Sequence, residues 1–181
     1  MDAPLWVFGY GSLIWNPEFP FVRKEIARLD GYRRAFCMAS IHHRGSEDAP
    51  GLVLALDAQA GASCEGVAFE IAPAEAAEAL AGLRERELIS SAYVEREIDL
   101  AFRAGGGVQA LAYVIEKDHR QYRGDLTLET QAEIIARATG GRGPNRDYLF
   151  NTAAHLEELG IADPDLAWLR RRVGEIVAEP Q

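Results

Sequence analysis

Cysteine is scarce in this sequence, and the positions of the two cysteines exclude two kinds of site. Cys37 and Cys64 lie far apart in apolar stretches. A disulfide framework needs several cysteines, and a Cys-x-x-Cys metal or redox site needs two of them close together. We therefore expect both residues to be buried free thiols, because an unpaired cysteine behaves as a small apolar side chain.

The sequence also lacks long hydrophobic runs and an excess of positive charge. It has no apolar stretch of about 18 residues or more, the length that could span a membrane, and Met1-Asp2-Ala3-Pro4 lacks the basic region that opens a signal peptide. The net charge of -9 opposes attraction to nucleic acids and to anionic membranes. We expect a cytoplasmic protein whose partner is a small molecule, with no nucleic-acid or membrane partner. The oligomeric state stays open.

What the sequence does contain is enough apolar residues for one core, arranged as strands first and helices later. Hydrophobic residues make up 48% of the 181 residues, which predicts a single domain over residues 1–181. Apolar runs between turn residues predict strands over 5–9, 27–29, 34–40, 51–56, 64–71, 93–102 and 108–115. Helical spacing predicts helices over 73–87, 127–139, 145–159 and 165–177. This order is typical of an α+β domain.

Local signals add detail to these elements. Asp30-Gly31 predicts a hairpin turn between two strands, and Gly105-Gly106-Gly107 predicts another. Thr127 is the predicted cap of a helix that Gly140 should stop.

Two nucleotide-binding motifs fail on residues that they require. Gly9-Tyr10-Gly11 begins like a dinucleotide fingerprint, but the third glycine is missing, and Pro17 and Pro20 disfavour the helix that should receive the pyrophosphate. The glycines and arginines over 140–146 lack the lysine of a P-loop, so that segment is better explained as a loop between helices.

A metal site and a serine nucleophile are also poorly supported. His42 and His43 are neighbours without a third ligand at metal spacing, so we expect no metal. Ser12 lacks the Gly-x-Ser-x-Gly elbow, and no His and Asp are placed suggestively downstream.

Ten residues near the N-terminus carry a resemblance to a known family. The segment Trp6-Val7-Phe8-Gly9-Tyr10-Gly11-Ser12-Leu13-Ile14-Trp15 resembles the start of the ChaC-like γ-glutamylcyclotransferases, whose hallmark is a Tyr-Gly-Ser-Leu loop. Further matches follow in order: Gly31-Tyr32-Arg33-Arg34-Ala35-Phe36, His43-Arg44-Gly45, Gly66-Val67-Ala68-Phe69, Arg86-Glu87 and Gly143-Pro144-Asn145-Arg146-Asp147-Tyr148-Leu149-Phe150. The resemblance implies a γ-glutamylcyclotransferase-like fold, a small mixed β-barrel with flanking helices. It also implies a cofactor-free enzyme that cleaves glutathione into 5-oxoproline and cysteinylglycine.

This reaction asks little of the protein's own side chains. The α-amine of a γ-glutamyl group can close a five-membered ring on the γ-carbonyl and expel the attached amine. Holding the substrate folded supplies proximity, which can be worth roughly 7 to 11 kcal/mol. One carboxylate can then take the ammonium proton and return a proton to the leaving nitrogen.

Glu85 and Glu87 compete for that role, and helix geometry separates them. Residues two apart on a helix point to nearly opposite faces. Glu87 continues the stripe of Leu80 and Leu83, whereas Glu85 lies off it. The resemblance points the same way, because the functional glutamate of the family follows an arginine, as Glu87 does. Glu87 is therefore the predicted catalytic residue, although most glutamates at helix ends are simply solvated.

The predicted substrate-binding residues include the 10–13 loop, which consists of Tyr10, Gly11, Ser12 and Leu13. Successive backbone N–H groups there could form a nest for a carboxylate or a developing oxyanion. The alternative is an ordinary glycine turn.

Five further binding residues are predicted from the resemblance. Tyr113 and Tyr148 resemble tyrosines that line the family's pocket, and a phenol suits hydrogen bonding to the γ-glutamyl group. Either could instead be a core aromatic. Arg34, His43 and Arg44 would fit binding of the glycine carboxylate of glutathione, or the arginines could have structural roles.

Two other functions stay open. The protein could be a cyclotransferase for other γ-glutamyl amines, which would share ring closure but lack the cysteinylglycine pocket. It could also be a non-catalytic module that binds a γ-glutamyl metabolite, although a mere binder needs no base.

Overall fold

Five strands of the described residues form a closed barrel in this α+β structure, a computed structural model that describes residues 3–88 and 91–180. Met1 and Asp2, on which part of the N-terminal prediction depended, lie outside the described residues. The strands are β1 (Leu5–Gly9), β2 (Arg23–Ser40), β3 (Gly51–Ile71), β4 (Tyr93–Phe102) and β5 (Gly107–Ile115). They close in the order β1-β3-β2-β4-β5, and β3 also pairs with β5.

The chain divides into two compact units. Unit 1 contains the described residues within Met1–Arg34 and Leu56–Arg120, and unit 2 contains those within Ala35–Ala55 and Gln121–Gln181. Strands β2 and β3 contribute residues to both units. The prediction of a single domain over 1–181 stays a prediction.

The hairpin predicted at Asp30-Gly31 is wrong, because β2 runs without a break through both residues. The predicted strands over 51–56 and 64–71 are likewise one strand, β3. Gly31 and Gly61 have φ values of 86° and 83°, in the left-handed region that glycine adopts without a steric penalty. A glycine of this kind inside a strand marks a local irregularity such as a bulge, and its local sequence looks like a turn.

The predicted hairpin of β4 and β5 is confirmed. The two strands pair antiparallel from Tyr93 with Ile115 to Ala101 with Gly107. Gly105 and Gly106 supply the positive φ values of the turn.

Two helices belong to unit 1. Helix α1 (Ser12–Trp15) is a single turn directly after β1, in a place where the sequence predicted only a loop. Helix α2 (Pro73–Glu87) has the predicted bounds, with proline in its first turn and Glu75 near the positive end of its dipole. It buries Ala76, Ala79 and Leu83, whose spacing of three and four residues defines one helical face.

Unit 2 contains the remaining helices, α3 (Leu128–Arg137), α4 (Asn145–Glu158) and α5 (Pro164–Ala178), which pack on one another. The Thr127 side chain accepts a hydrogen bond from the N–H of Thr130, which confirms the predicted cap. The segment between α3 and α4 forms a small hairpin of β6 (Thr139–Gly140) and β7 (Gly143–Pro144).

The structure also bears on the lack of long hydrophobic runs and on the two cysteines. In residues 3–88 and 91–180, no helix has both the length and the apolar character needed to cross a membrane. Cys37 and Cys64 are both buried thiols, as predicted.

Candidate active site

The 10–13 loop begins where β1 ends and continues directly into α1. Tyr10 and Leu13 are buried, and the helical turn is closed by hydrogen bonds from Ile14 N to Gly11 O (3.0 Å) and from Asn16 N to Ser12 O (2.7 Å). The first N–H groups of a helical turn precede its hydrogen-bond ladder and point out of its N-terminal end. Half of the 10–13 loop is therefore helical, and the nest stays a prediction.

The end of α2 places Glu85 and Glu87 in different surroundings. The Glu87 side chain is 15% exposed, whereas Glu85 is exposed to solvent. The buried stripe is centred on Ala79 and Leu83, and Leu80, which the sequence placed on it, is only half-buried. The predicted difference in direction between the two glutamates is confirmed.

Burial raises the pKa of the Glu87 carboxyl above its ordinary value. The neighbouring Arg86 guanidinium opposes this shift, and the carboxylate of Glu18 adds to it. The C-terminal end of a helix also disfavours a negative charge, which acts in the same direction as burial. A carboxyl group with a raised pKa is suited to both accepting and returning a proton near neutral pH.

Arg86 connects Glu87 to α1 and to the segment that follows it. Its Nη2 donates to Ser12 Oγ (2.9 Å), and its Nη1 donates to the carbonyl oxygen of Asn16 (2.8 Å). Its Nη1 lies 3.1 Å from Glu18 Oε2, and its Nε lies 3.4 Å from Glu87 Oε1. The Arg86 side chain is 17% exposed. Sequence reasoning gave Arg86 no role of its own.

Tyr113 lies on β5 and is 1% exposed. Its hydroxyl donates to Glu95 Oε2 (3.0 Å), and Arg84 holds the same carboxylate through two hydrogen bonds of 3.0 and 2.9 Å. Arg84 lowers the pKa of Glu95, so that carboxylate stays a hydrogen-bond acceptor. Burial and the bond to Glu95 raise the pKa of the Tyr113 phenol, and the charge of Glu87 contributes to the same shift. The Tyr113 phenol is therefore neutral, and its hydroxyl proton is committed to Glu95.

Arg34 is buried beside the 10–13 loop. Its Nη1 donates to the carbonyl oxygens of Tyr10 (3.3 Å) and Glu65 (2.6 Å). These bonds hold the start of the loop against β3. Gly66 also permits close packing there, since a Cβ atom at this position would meet the carbonyl oxygen of Gly9. The predicted contact of Arg34 with substrate stays a prediction.

His43, Arg44 and Tyr148 belong to unit 2. Arg44 is buried, and its Nη1 donates to the carbonyl oxygens of Arg142 (3.1 Å) and Pro144 (3.2 Å). Burial lowers the pKa of its guanidinium, which still remains charged. The Tyr148 hydroxyl accepts a hydrogen bond from Leu54 N (3.2 Å). His43 is exposed and lies after the end of β2.

Asn145 is a further polar residue of unit 2, and sequence reasoning gave it no role. It is fully buried, and its side-chain amide forms two hydrogen bonds of 2.8 Å with the N–H and the carbonyl of Leu52. Gly51 makes this close approach possible, because a Cβ atom there would lie 2.8 Å from Asn145 Oδ1. A signal was available only in the matched segment Gly143-Pro144-Asn145-Arg146.

The grouping of the ionisable side chains bears on whether a metal ion could bind. In the part of the chain that the structure describes, no three His, Cys, Asp or Glu side chains are grouped so that they could hold a metal ion. The charged residues around Glu87 instead pair with one another.

The barrel and its helices have the architecture of the γ-glutamylcyclotransferases. A crystal structure of a glutathione-specific γ-glutamylcyclotransferase from yeast superimposes with a TM-score of 0.86, covering 96% of this chain and 97% of the yeast chain at 23% identity. The predicted fold is thereby confirmed.

Sequence comparisons give the family. The model of the ChaC-like protein family matches residues 5–176, so this chain belongs to the ChaC-like family. It is 34% identical to the glutathione-specific γ-glutamylcyclotransferase of Escherichia coli (strain K12), over 98% of this chain and 76% of the relative. It is 37% identical to γ-glutamylcyclotransferase 2-3 of Arabidopsis thaliana, over 98% of this chain and 92% of the relative.

Proposed function

We propose that this protein is a glutathione-specific γ-glutamylcyclotransferase, which releases 5-oxoproline and cysteinylglycine without a metal or cofactor. One observation carries the proposal: the largely buried carboxylate of Glu87 is joined through Arg86 to Ser12 of the Tyr-Gly-Ser-Leu loop. The names of the relatives in Escherichia coli and Arabidopsis thaliana support the same reaction.

Glu87 acts first as the base in the proposed mechanism. Its carboxylate takes a proton from the α-ammonium of the γ-glutamyl group, and the free amine attacks the γ-carbonyl carbon. A bond forms between this nitrogen and the γ-carbon, and negative charge develops on the carbonyl oxygen. Among the described residues, Arg86 is the only ion-pair partner of the Glu87 carboxylate, so the carboxylate keeps capacity to accept this proton.

Glu87 acts second as the acid. The bond between the γ-carbon and the cysteinyl nitrogen breaks, and the nitrogen receives the proton that Glu87 holds. The attacking nitrogen still carries two protons, so it loses the second one to water as the ring becomes the neutral lactam of 5-oxoproline. The released amine takes up a proton from water, and the Glu87 carboxylate is regenerated. The raised pKa of Glu87 favours this return step, because an ordinary carboxylic acid is protonated for too small a fraction of the time near neutral pH.

The 10–13 loop and Tyr113 are the proposed binding groups of unit 1. Backbone N–H groups of the loop would receive the substrate carboxylate or the developing oxyanion. The hydroxyl proton of Tyr113 is directed at Glu95, so its oxygen would act as an acceptor toward the substrate amine. The proposed contacts of Arg34, His43, Arg44 and Tyr148 with substrate rest on the resemblance alone.

The direct test is incubation of the purified protein with glutathione, followed by measurement of 5-oxoproline and cysteinylglycine. Equal release from glutathione and from γ-glutamylalanine would contradict the glutathione specificity and favour a broader cyclotransferase. Binding of glutathione without any release of 5-oxoproline would contradict the enzyme and favour a binding module. The cytoplasmic location, the absence of nucleic-acid partners and the single domain stay predictions.

A further inference from the structure

The Arg86 side chain contacts four polar groups near the end of α2, on Ser12, Asn16, Glu18 and Glu87. A guanidinium has five N–H donors in a planar fork, so it can bond to several acceptors at once. The acceptors of Arg86 lie on α1, at its C-terminal cap, in the following segment and on α2. The bond to Ser12 spans 74 positions in the sequence, so a single side chain fixes two distant segments.

Glu18, the acidic partner of Arg86, has an unusual backbone conformation. Its φ is 62°, in the left-handed region that is costly for residues other than glycine. Such a conformation persists only where the surroundings enforce it. Both carboxylate oxygens of Glu18 are engaged, Oε1 by Asn16 Nδ2 (3.2 Å) and Oε2 by Arg86 Nη1 (3.1 Å).

We propose that Arg86 is a positioning residue, which holds Ser12 and the Glu87 carboxylate in one arrangement for ring closure, with Glu18 as its counter-charge. The proposal rests on the proposed function, because it assumes that Glu87 carries the proton. Ser12 Oγ accepts a hydrogen bond from Arg86, so the hydroxyl proton of Ser12 points away from Arg86. In this arrangement the Ser12 hydroxyl can donate a hydrogen bond to the substrate.

The charged groups around Glu87 predict how the pH dependence of kcat/KM should change when one of them is removed. Arg86 on α2 lowers the pKa of Glu87, Glu18 raises it, and Tyr113 on β5 stays neutral because its own pKa is raised. The acid limb of kcat/KM reports the essential base of the free enzyme. Loss of the Arg86 charge should therefore move the limb to higher pH, and loss of the Glu18 charge should move it to lower pH.

The experiment compares Arg86→Gln, Arg86→Lys and Glu18→Gln with the wild type, using glutathione as substrate across a range of pH. Arg28→Gln is the matched control, because it removes an arginine from an exposed ion pair in the same unit. For Arg86→Gln we expect kcat to fall by about 10- to 100-fold, with a smaller change in KM, since misplacement of reacting groups by about 1 Å can cost this much. Arg86→Lys keeps the charge but not the fork, so it should restore the acid limb and only part of kcat.

A normal kcat together with an unmoved acid limb in folded Arg86→Gln would overturn the proposal. The proposal would also be overturned if Arg86→Lys had the same kcat and the same acid limb as Arg86→Gln. If Arg86→Gln does not fold, Glu18→Gln decides: a limb at lower pH supports the charge balance, and an unmoved limb overturns it. If the wild type does not release 5-oxoproline, the proposed function fails separately. The positioning role can then be tested without turnover by following the titration of Glu87 by NMR. The pKa of Glu87 should be higher in Arg86→Gln than in the wild type and in Arg86→Lys.

Discussion

Buried polar side chains in the two units bond to different kinds of partner. Around the end of α2 in unit 1, Arg86 bonds to the Ser12 hydroxyl, and Tyr113 bonds to the Glu95 carboxylate. In unit 2, the Asn145 side chain bonds to two backbone groups, both of them on Leu52. In the first set a side chain bonds to another side chain, and in the second set a side chain fixes the path of the backbone.

The two sets of side chains therefore have different roles in this protein: one belongs to the candidate active site, and the other stabilises the fold. A side chain that satisfies buried backbone groups cannot leave without exposing their unpaired donors and acceptors. Side chains with shifted pKa values, by contrast, are typical of functional sites. Arg34 shows that the division does not simply follow the two units, because it lies in unit 1 and bonds to carbonyl oxygens.

The largest expected effect is on turnover in Glu87→Gln. The amide keeps the size of the side chain but cannot accept the ammonium proton, so we expect kcat to fall by at least about 10²- to 10⁴-fold. Glu85→Gln is the matched control on the same helix, and it should be far milder because Glu85 is exposed. Release of 5-oxoproline measures the rate, and calorimetric binding of glutathione separates failed chemistry from a collapsed pocket. An inactive Glu85→Gln with an active Glu87→Gln would reverse the assignment.

Asn145→Ala should cause the largest loss of stability. It leaves the N–H and the carbonyl of Leu52 without their partner, and each unsatisfied buried group costs about 1–3 kcal/mol. We expect the free energy of unfolding to fall by about 2–4 kcal/mol in chemical denaturation. Asn151→Ala, at an exposed position of the same helix, should change it little. Equal losses in the two variants would contradict the structural role of Asn145.

A pair of tyrosine variants tests the difference between a side chain of the candidate active site and one that bonds to the backbone. Tyr113→Phe removes a hydroxyl that bonds to the Glu95 carboxylate, and we expect kcat/KM to fall by about 10- to 100-fold, since a hydrogen bond to a charged group is worth about 1.5–3 kcal/mol. Tyr148→Phe removes the acceptor of the Leu54 N–H, so we expect mainly a lower midpoint of thermal unfolding. Both kcat/KM and the midpoint of thermal unfolding should be measured for both variants. A larger loss of stability in Tyr113→Phe than in Tyr148→Phe would contradict the different roles assigned to the two hydroxyls.

The smallest expected effect is that of a chelator. Within residues 3–88 and 91–180 no cluster of metal ligands is present, and the proposed mechanism needs only Glu87 for proton transfer. Activity should therefore be unchanged after dialysis against EDTA. Loss of activity that added zinc restores would show that the mechanism requires a metal.

Short-range signals in the sequence predicted much of the fold. Thr127 and the glycines at 105–107 act on neighbours a few positions away, so their cap and turn could be predicted directly. Asp30-Gly31 misled because the same dipeptide fits a turn and an irregular strand, and only pairing with distant residues separates the two. Helix α1 was missed because a single turn is too short to show a periodic pattern.

The candidate site was predictable to a similar extent. The helical period indicates that Glu85 and Glu87 point in different directions, and their exposures agree with this. The resemblance added the 10–13 loop and the tyrosines. The contacts of Arg86 with Ser12 and of Tyr113 with Glu95 could not be predicted, because 74 and 18 positions separate the partners and no pattern in one sequence records such pairs.

The burial of both cysteines has a consequence for redox biology. Glutathione carries a reactive thiol, and its oxidised form exchanges disulfides with exposed protein thiolates. Cys37 and Cys64 are 1% and 8% exposed, so an attacking disulfide has little access to either sulfur. Both cysteines should therefore stay reduced in the presence of oxidised glutathione.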